Sequence, residues 1–202
     1  NGVNWTAINT SFNGNGNIPT VMGINASNTL FVIDDAQDVY VSSNKGASWK
    51  RIATNLNGAG SDILALTIGS NNTLYAIDKT EDVWVSSNSG FSWTNVASNF
   101  NGVGGDIGGL MVDSNLALYT ADNRQDVWNS SNGGATWTEI NTSFNGNSNI
   151  PTAMGINASN TLFIIDDAQD VYVSSNKGAS WERISANIGA GGNMLYLTID
   201  SN

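Results

Sequence analysis

This 202-residue chain has no cysteine, no histidine and only two prolines. Without those first two side chains, a zinc site of the usual kind, a thiol nucleophile, a haem ligand and a His-based triad are all excluded. Charge is scarce too. Charged residues make up 12% of the chain, with seven basic residues against seventeen acidic ones and a formal net charge of −10. A field of that sign repels the phosphate backbone of a nucleic acid and the surface of an anionic membrane. No apolar stretch approaches the roughly 20 residues that cross a bilayer, so membrane insertion is not expected. No basic-then-apolar leader opens the chain, and a mature secreted product would look the same. What remains favours binding or building over catalysis.

Asparagine and glycine are abundant instead, at 31 and 22 residues. Both supply left-handed backbone, and asparagine also closes Asx-turns, so the chain is rich in tight turns. Between the turns run short alternating segments such as Thr29-Leu30-Phe31-Val32-Ile33 and Asp38-Val39-Tyr40-Val41-Ser42. They are β-branched and aromatic, and none carries a sustained helical period. The pattern predicts an all-β protein.

Trp5, Trp49, Trp93, Trp137 and Trp181 recur every 44 residues. A fixed period of that size marks a repeated unit of four short strands, the size of a β-propeller blade. The expected first strands cover 18–25, 63–68, 110–113, 150–157 and 194–200. Second strands are expected over 29–34, 73–78, 116–122 and 161–166, and third strands over 39–42, 83–86, 127–130 and 171–174. Each fourth strand opens at a period-44 tryptophan. Residues 18–61, 62–105, 106–149 and 150–193 are then four full blades with their loops. Residues 1–17 read as the outer strand and loop of a preceding blade, and 194–202 as the first strand of a further one.

The turn before each of these tryptophans carries a family resemblance. Ser42-Ser43-Asn44-Lys45-Gly46-Ala47-Ser48-Trp49 resembles the Asp-box, or BNR repeat, of the sialidase-like propellers. Equivalent boxes end at Trp93, Trp137 and Trp181, and Gly2-Val3-Asn4-Trp5 resembles the tail of another. The Asp of the motif is replaced by Asn44, Asn88, Asn132 and Asn176, whose carboxamides can still accept backbone N–H groups. The resemblance implies that the box is a peripheral structural hairpin and that ligands bind on the opposite face. It also implies that a catalytic sialidase would need an arginine triad. Only Arg51, Arg124 and Arg183 are present, two of them at equivalent positions of duplicate repeats. The chain is therefore expected to be non-catalytic.

The duplication is close. Residues 6–51 and 138–183 align without gaps and match at 41 of 46 positions. The chain thus reads as the tail of one repeat type, then three types in order, then the first type again and the head of the second. A ring of five such repeats needs about 220 residues and one of six about 264. The chain is expected to be part of a longer polypeptide or to be completed by a partner. A blade lacking its middle strands would expose edges that promote self-association.

The turns between second and third strands hold Asp-x-x-x-Asp in every repeat, ending at Asp38, Asp82, Asp126 and Asp170. Two residues on stands an aromatic, Tyr40, Trp84, Trp128 or Tyr172. An acid beside an aromatic suits a sugar, because the ring stacks on its apolar face while the carboxylate takes its hydroxyls. The same residues also suit a structural role, with the carboxylates capping turn N–H groups and the rings packed between sheets. Calcium would need more oxygens at closer spacing, so no metal, cofactor or catalytic residue is assigned. The reading is a secreted or cell-surface, lectin-like module binding glycans or another protein chain through repeated weak sites. A structural building block of an extracellular assembly is the alternative.

Overall fold

The computed structural model describes residues 6–58, 61–102, 106–189, Leu197 and Ile199. Among these residues there are sixteen strands and no helix, in four separate antiparallel sheets of four strands each. Sheet 1 is β1 (Pro19–Ile24), β2 (Leu30–Asp34), β3 (Val39–Ser42) and β4 (Lys50–Ala53). Sheet 2 is β5 (Ile63–Ile68), β6 (Leu74–Asp78), β7 (Val83–Ser86) and β8 (Thr94–Ala97). Sheet 3 is β9 (Ile107–Val112), β10 (Leu118–Asp122), β11 (Val127–Ser130) and β12 (Thr138–Asn141). Sheet 4 is β13 (Pro151–Ile156), β14 (Leu162–Asp166), β15 (Val171–Ser174) and β16 (Glu182–Ser185).

Neighbouring sheets approach through their first strands, β1 against β5, β5 against β9 and β9 against β13. The sheets therefore fan outward from these inner strands. Side chains alternate between the two faces of each strand, so each sheet has one apolar face for the sheet before it and one for the sheet after. Val21, Ile33 and Val39 of sheet 1 meet Ile63 and Ala76 of sheet 2. Ile77 and Val83 of sheet 2 meet Leu110 and Leu118 of sheet 3, and Ala121 and Val127 of sheet 3 meet Met154 and Leu162 of sheet 4. The core is a series of layers between repeats, as in repeat architectures generally.

Two strand starts differ from the sequence expectation by more than one residue, each for a local reason. The third inner strand starts at Ile107 rather than 110 and takes in Gly108 and Gly109. That glycine pair has the composition of a loop, but here bare backbone is needed. A Cβ on Gly108 would lie 2.8 Å from Pro151 Cβ and one on Gly109 3.3 Å from Met154 Cβ. The strand after it starts at Leu118 rather than 116, because Leu116 occupies a left-handed turn position at φ +67°. Asn28, Asn72 and Asn160 hold that place in the other repeats, at φ +60°, +62° and +61°. Trp5 lies outside the described residues, as does most of the expected strand 194–200. Leu197 and Ile199 pack over Gly155 as Leu66 and Ile68 pack over Gly23.

The turn before each tryptophan is one hydrogen-bonded unit. Asn44 Oδ1 accepts the Ser48 N–H and the Ser42 hydroxyl, both at 2.9 Å, and Ser42 Oγ accepts the Gly46 N–H at 2.9 Å. The Trp49 indole donates to the Gly46 carbonyl at 3.0 Å. Asn44 Nδ2 also donates to Ser48 Oγ at 2.8 Å, a bond that an aspartate could not make. The same five bonds recur around Asn88, Asn132 and Asn176.

Candidate functional site

The turn joining second to third strands, the BC turn, is built on its first aspartate. Asp34 Oδ1 accepts the N–H groups of Ala36 at 3.1 Å and Asp38 at 3.0 Å. Asp78 and Asp122 do the same for Thr80 and Asp82 and for Arg124 and Asp126, and Asp166 accepts from Asp170. These bonds hold Gln37, Glu81, Gln125 and Gln169 in the left-handed region, at φ between +58° and +67°. Such a conformation is uncommon without glycine and persists where its surroundings determine it.

Each BC turn is gripped by two DA loops, the loops that lead from one sheet's fourth strand to the next sheet's first. The second aspartate holds the loop leaving its own sheet. Asp38 Oδ1 accepts the Asn55 N–H at 3.1 Å, Asp82 that of Asn99 at 2.9 Å, Asp126 that of Ser143 at 3.4 Å and Asp170 that of Asn187 at 3.0 Å. One residue further on, the N–H groups of Leu56, Phe100, Phe144 and Ile188 donate to the carbonyls of Gln37, Glu81, Gln125 and Gln169. The first aspartate holds the arriving loop. Its Oδ2 receives Nδ2 of Asn13, Asn57, Asn101 or Asn145 at 3.3 to 3.5 Å.

The aromatic two residues past the second aspartate completes this clasp. Trp84 and Trp128 donate Nε1–H directly to Oδ2 of Asp78 and Asp122, both at 3.0 Å. In the outer sheets the hydroxyls of Tyr40 and Tyr172 accept from Asn15 and Asn147, each at 3.2 Å. Phe12 and Phe144 on the arriving loops meet these tyrosines edge to face, with ring centroids 5.1 and 5.3 Å apart, and Phe100 meets Trp128 at 5.9 Å. Burial first, then the neighbouring aspartates, pushes both tyrosine hydroxyls up from their ordinary pKa.

All eight residues expected at a site thus lie in one interlocking arrangement, but their accessibility differs. Tyr40 and Tyr172 are only 3% and 4% exposed, and Asp38 and Asp170 are buried with them. Trp84, Trp128, Asp82 and Asp126 remain half-buried at the surface. The tips of the BC turns stand clear of the clasp and vary from sheet to sheet: Asp35-Ala36, Lys79-Thr80, Asn123-Arg124 and Asp167-Ala168 are all exposed.

The asparagines at 13, 57, 101 and 145 were not singled out by sequence reasoning, although their 44-residue spacing was the available signal. Sequence reasoning also missed a position on the fourth strand. Arg51 and Arg183 pair across the sheet with Tyr40 and Tyr172, and they bond Asp38 and Asp170 at 2.9 and 2.8 Å. Asn95 fills that role for Asp82, at 2.9 Å. The equivalent residue in sheet 3 is Glu139, which pairs with Trp128. Arg124 stands in from the turn instead, 3.0 Å from Asp122 and 3.8 Å from Asp126. The consequence is opposite titration. The Arg183 bond holds Asp170 below the ordinary carboxylate range, while desolvation, then Asp122, raises Asp126 above it.

No protein-family model and no curated protein matches the chain. Solved structures do. A structure of YCF48 bound to D1 peptide superimposes with a TM-score of 0.65 at 10% identity over 83% of this chain. A protein of unknown function from Bacteroides thetaiotaomicron gives 0.67 at 13% identity over 83% of the chain. A GH74 xyloglucanase from Xanthomonas campestris gives 0.60 at 16% identity over 86%. The fold is a β-propeller. The chain spans 55%, 48% and 32% of these three proteins' own lengths.

In propeller terms, the four sheets are blades, and the clasp joins each described blade to the DA loops on either side. Among the described residues no group of three or more acidic side chains is placed to hold a metal ion. Among the described residues no helix is long and apolar enough to cross a membrane.

Proposed function

We propose that this chain is a secreted, non-enzymatic binding module of the Asp-box propeller kind that takes carbohydrate on its BC face. The sites are Trp84 with Asp82 and Trp128 with Asp126. The observation that carries this reading is the half-buried indole in blades 2 and 3, pinned through Nε1 to a buried aspartate. A ring held in one orientation loses little freedom when a sugar stacks on it. The neighbouring Asn95, Ser98 and Arg124 offer hydroxyl partners. The Tyr40 and Tyr172 copies are the buried, structural version of the same unit. Two weak sites on one rigid face gain strength through multivalency.

The recurring Asn turn with its Trp-to-Gly bond supports the Asp-box relationship, and the low charge and Asn-rich surface suit an extracellular setting. A non-catalytic role is supported by the engagement of all three arginines with aspartates of their own blades. A polypeptide ligand is the second reading, favoured by the peptide-bound YCF48 structure.

A glycan array tests the proposal. Wild-type protein should retain a glycan, and Trp84→Ala or Trp128→Ala should weaken it about tenfold, the loss of roughly 1.4 kcal/mol of stacking. Both variants need to remain folded by circular dichroism. Retention of peptides but no glycan would refute the carbohydrate reading, as would binding indifferent to both tryptophans. Secretion is checked by fractionating the source culture for the full gene product.

A further inference from the structure

Two devices occupy the outer rim where one blade's fourth strand meets the next blade's tryptophan turn. Between blades 3 and 4, Asn141 at the end of β12 reaches across and donates Nδ2–H to the Ala179 carbonyl at 3.0 Å. Asn9, its counterpart ahead of blade 1, bonds the Ala47 carbonyl at 3.3 Å. Between blades 1 and 2 the counterpart is Ala53, which has no such reach. There the turn carries an exposed Phe91 where the other three turns have Ala47, Ala135 and Ala179. Between blades 2 and 3 both positions are alanine, Ala97 and Ala135, so neither device is present.

A recess of about 380 Å³ opens at that junction, at the small end of the roughly 300–1,000 Å³ typical of small-molecule sites. Its apolar wall is Phe100 and Trp137, with Ala97 and Ala135 beside them. These two rings lie alongside each other, centroids 4.7 Å apart and tilted by 36°. Phe12 with Trp49 and Phe144 with Trp181 instead meet edge to face, at 70° and 62°. Phe100 is half-buried where Phe144 is buried. The Trp137 indole is fixed by its bond to the Gly134 carbonyl, 3.0 Å away. Ser98, Asn99 and Thr136 add hydroxyl and amide groups. Two of these lining residues also touch the sites on the BC face. Phe100 meets the Trp128 ring at 5.9 Å, and the Ser98 hydroxyl donates to Asp82 Oδ2 at 3.4 Å.

We propose that this recess is a second sugar subsite, so that the glycan held at Trp128 is a linear, neutral oligosaccharide with equatorial linkages. The inference rests on the carbohydrate reading of the BC face and sets the length and class of the ligand. Phe100 stands between Trp128 and Trp137, so the three rings form one aromatic track from the BC turn to the rim. Equatorially linked pyranoses present flat apolar faces in succession, which suits such a track, whereas an axial linkage bends the chain away from it. Asp82 behind Ser98 and a net charge of −10 repel an acidic sugar, which leaves a neutral one. Rings already held in place lose little freedom on binding, and a second ring tethered to the first binds at high effective concentration.

Titration calorimetry with β-1,4-linked glucose and N-acetylglucosamine oligomers, from a single ring upward, tests it. Affinity for one of the two series should climb about tenfold between one ring and three, then level off. Ala135→Phe copies blade 2 and fills the recess, so three rings should then bind no better than one. Ala97→Asn copies the Asn141 bridge of blade 3, should act alike, and serves if the first variant misfolds. Affinity independent of chain length overturns the proposal, as does a length gain that survives these substitutions in folded protein. Failure of every oligomer to bind overturns it too. In each of these cases, glycan binding on the array that depends on Trp128 would leave the carbohydrate reading standing. An array that retains no glycan overturns both.

Discussion

Met22 and Met154 offer a controlled comparison, because they occupy the same strand position in blades that match at 41 of 46 residues. Each pairs across its sheet with a β-branched residue, Val32 for Met22 and Ile164 for Met154. What differs is the adjoining layer. Met154 is covered by blade 3, with its Cβ against Gly109, and belongs to the core with Leu162 and Tyr172. Truncating a buried methionine to alanine costs about 2–5 kcal/mol through lost transfer energy and the cavity left behind. For Met154→Ala we expect about 3 kcal/mol, or roughly 6–12 °C in Tm for a domain of this size. Met22→Ala removes a side chain that is already in water and should stay within about 0.5 kcal/mol of wild type. Thermal and urea unfolding measures both. Equal costs at the two positions would refute the layered packing, because the substitutions are chemically identical and only the neighbouring blade separates them.

Glu139→Arg should restore in blade 3 the cross-strand guanidinium that blades 1 and 4 possess, pulling the Asp126 pKa down. In the wild type, the raised Asp126 pKa means that its contribution to stability falls as pH rises from the ordinary carboxylate value, ~4, through its raised folded value. Asp170 has the opposite sign: its contribution is present above the ordinary value and is lost as pH falls through its lowered folded value. Carboxyl NMR titration of Asp126 checks this, and an unmoved midpoint in the variant would count against the register assignment. Gly134→Ala should destabilise by about 2–4 kcal/mol, since φ is +90° and the new Cβ would sit 2.7 Å from Val83 Cγ1. A Tm within a degree of wild type would show that the turn relaxes instead.

The parts of this protein that depend on near neighbours in the chain were legible from the sequence. Alternation of apolar residues marked the strands, and the 44-residue tryptophan period marked the repeat. The Ser-Ser-Asn-x-Gly run marked a turn whose bonds span only a few residues. Misplaced boundaries fell where a residue's local preference was overruled: at Gly108-Gly109, drawn into a strand by the close approach of Pro151 and Met154, and at Leu116, left-handed where its counterparts are asparagine. The acid–aromatic pairs were visible as a pattern, but their roles were not. Tyr40 and Trp84 hold equivalent positions, yet one is buried and the other half-buried: the arriving loop sets Phe12 against Tyr40, where the loop before Trp84 has Leu56. Local chemistry along the chain determined the elements and their order. Tertiary structure decided which copies of an identical residue are core and which are surface, because burial depends on the layer packed across a sheet, and no residue's own sequence neighbourhood encodes that layer.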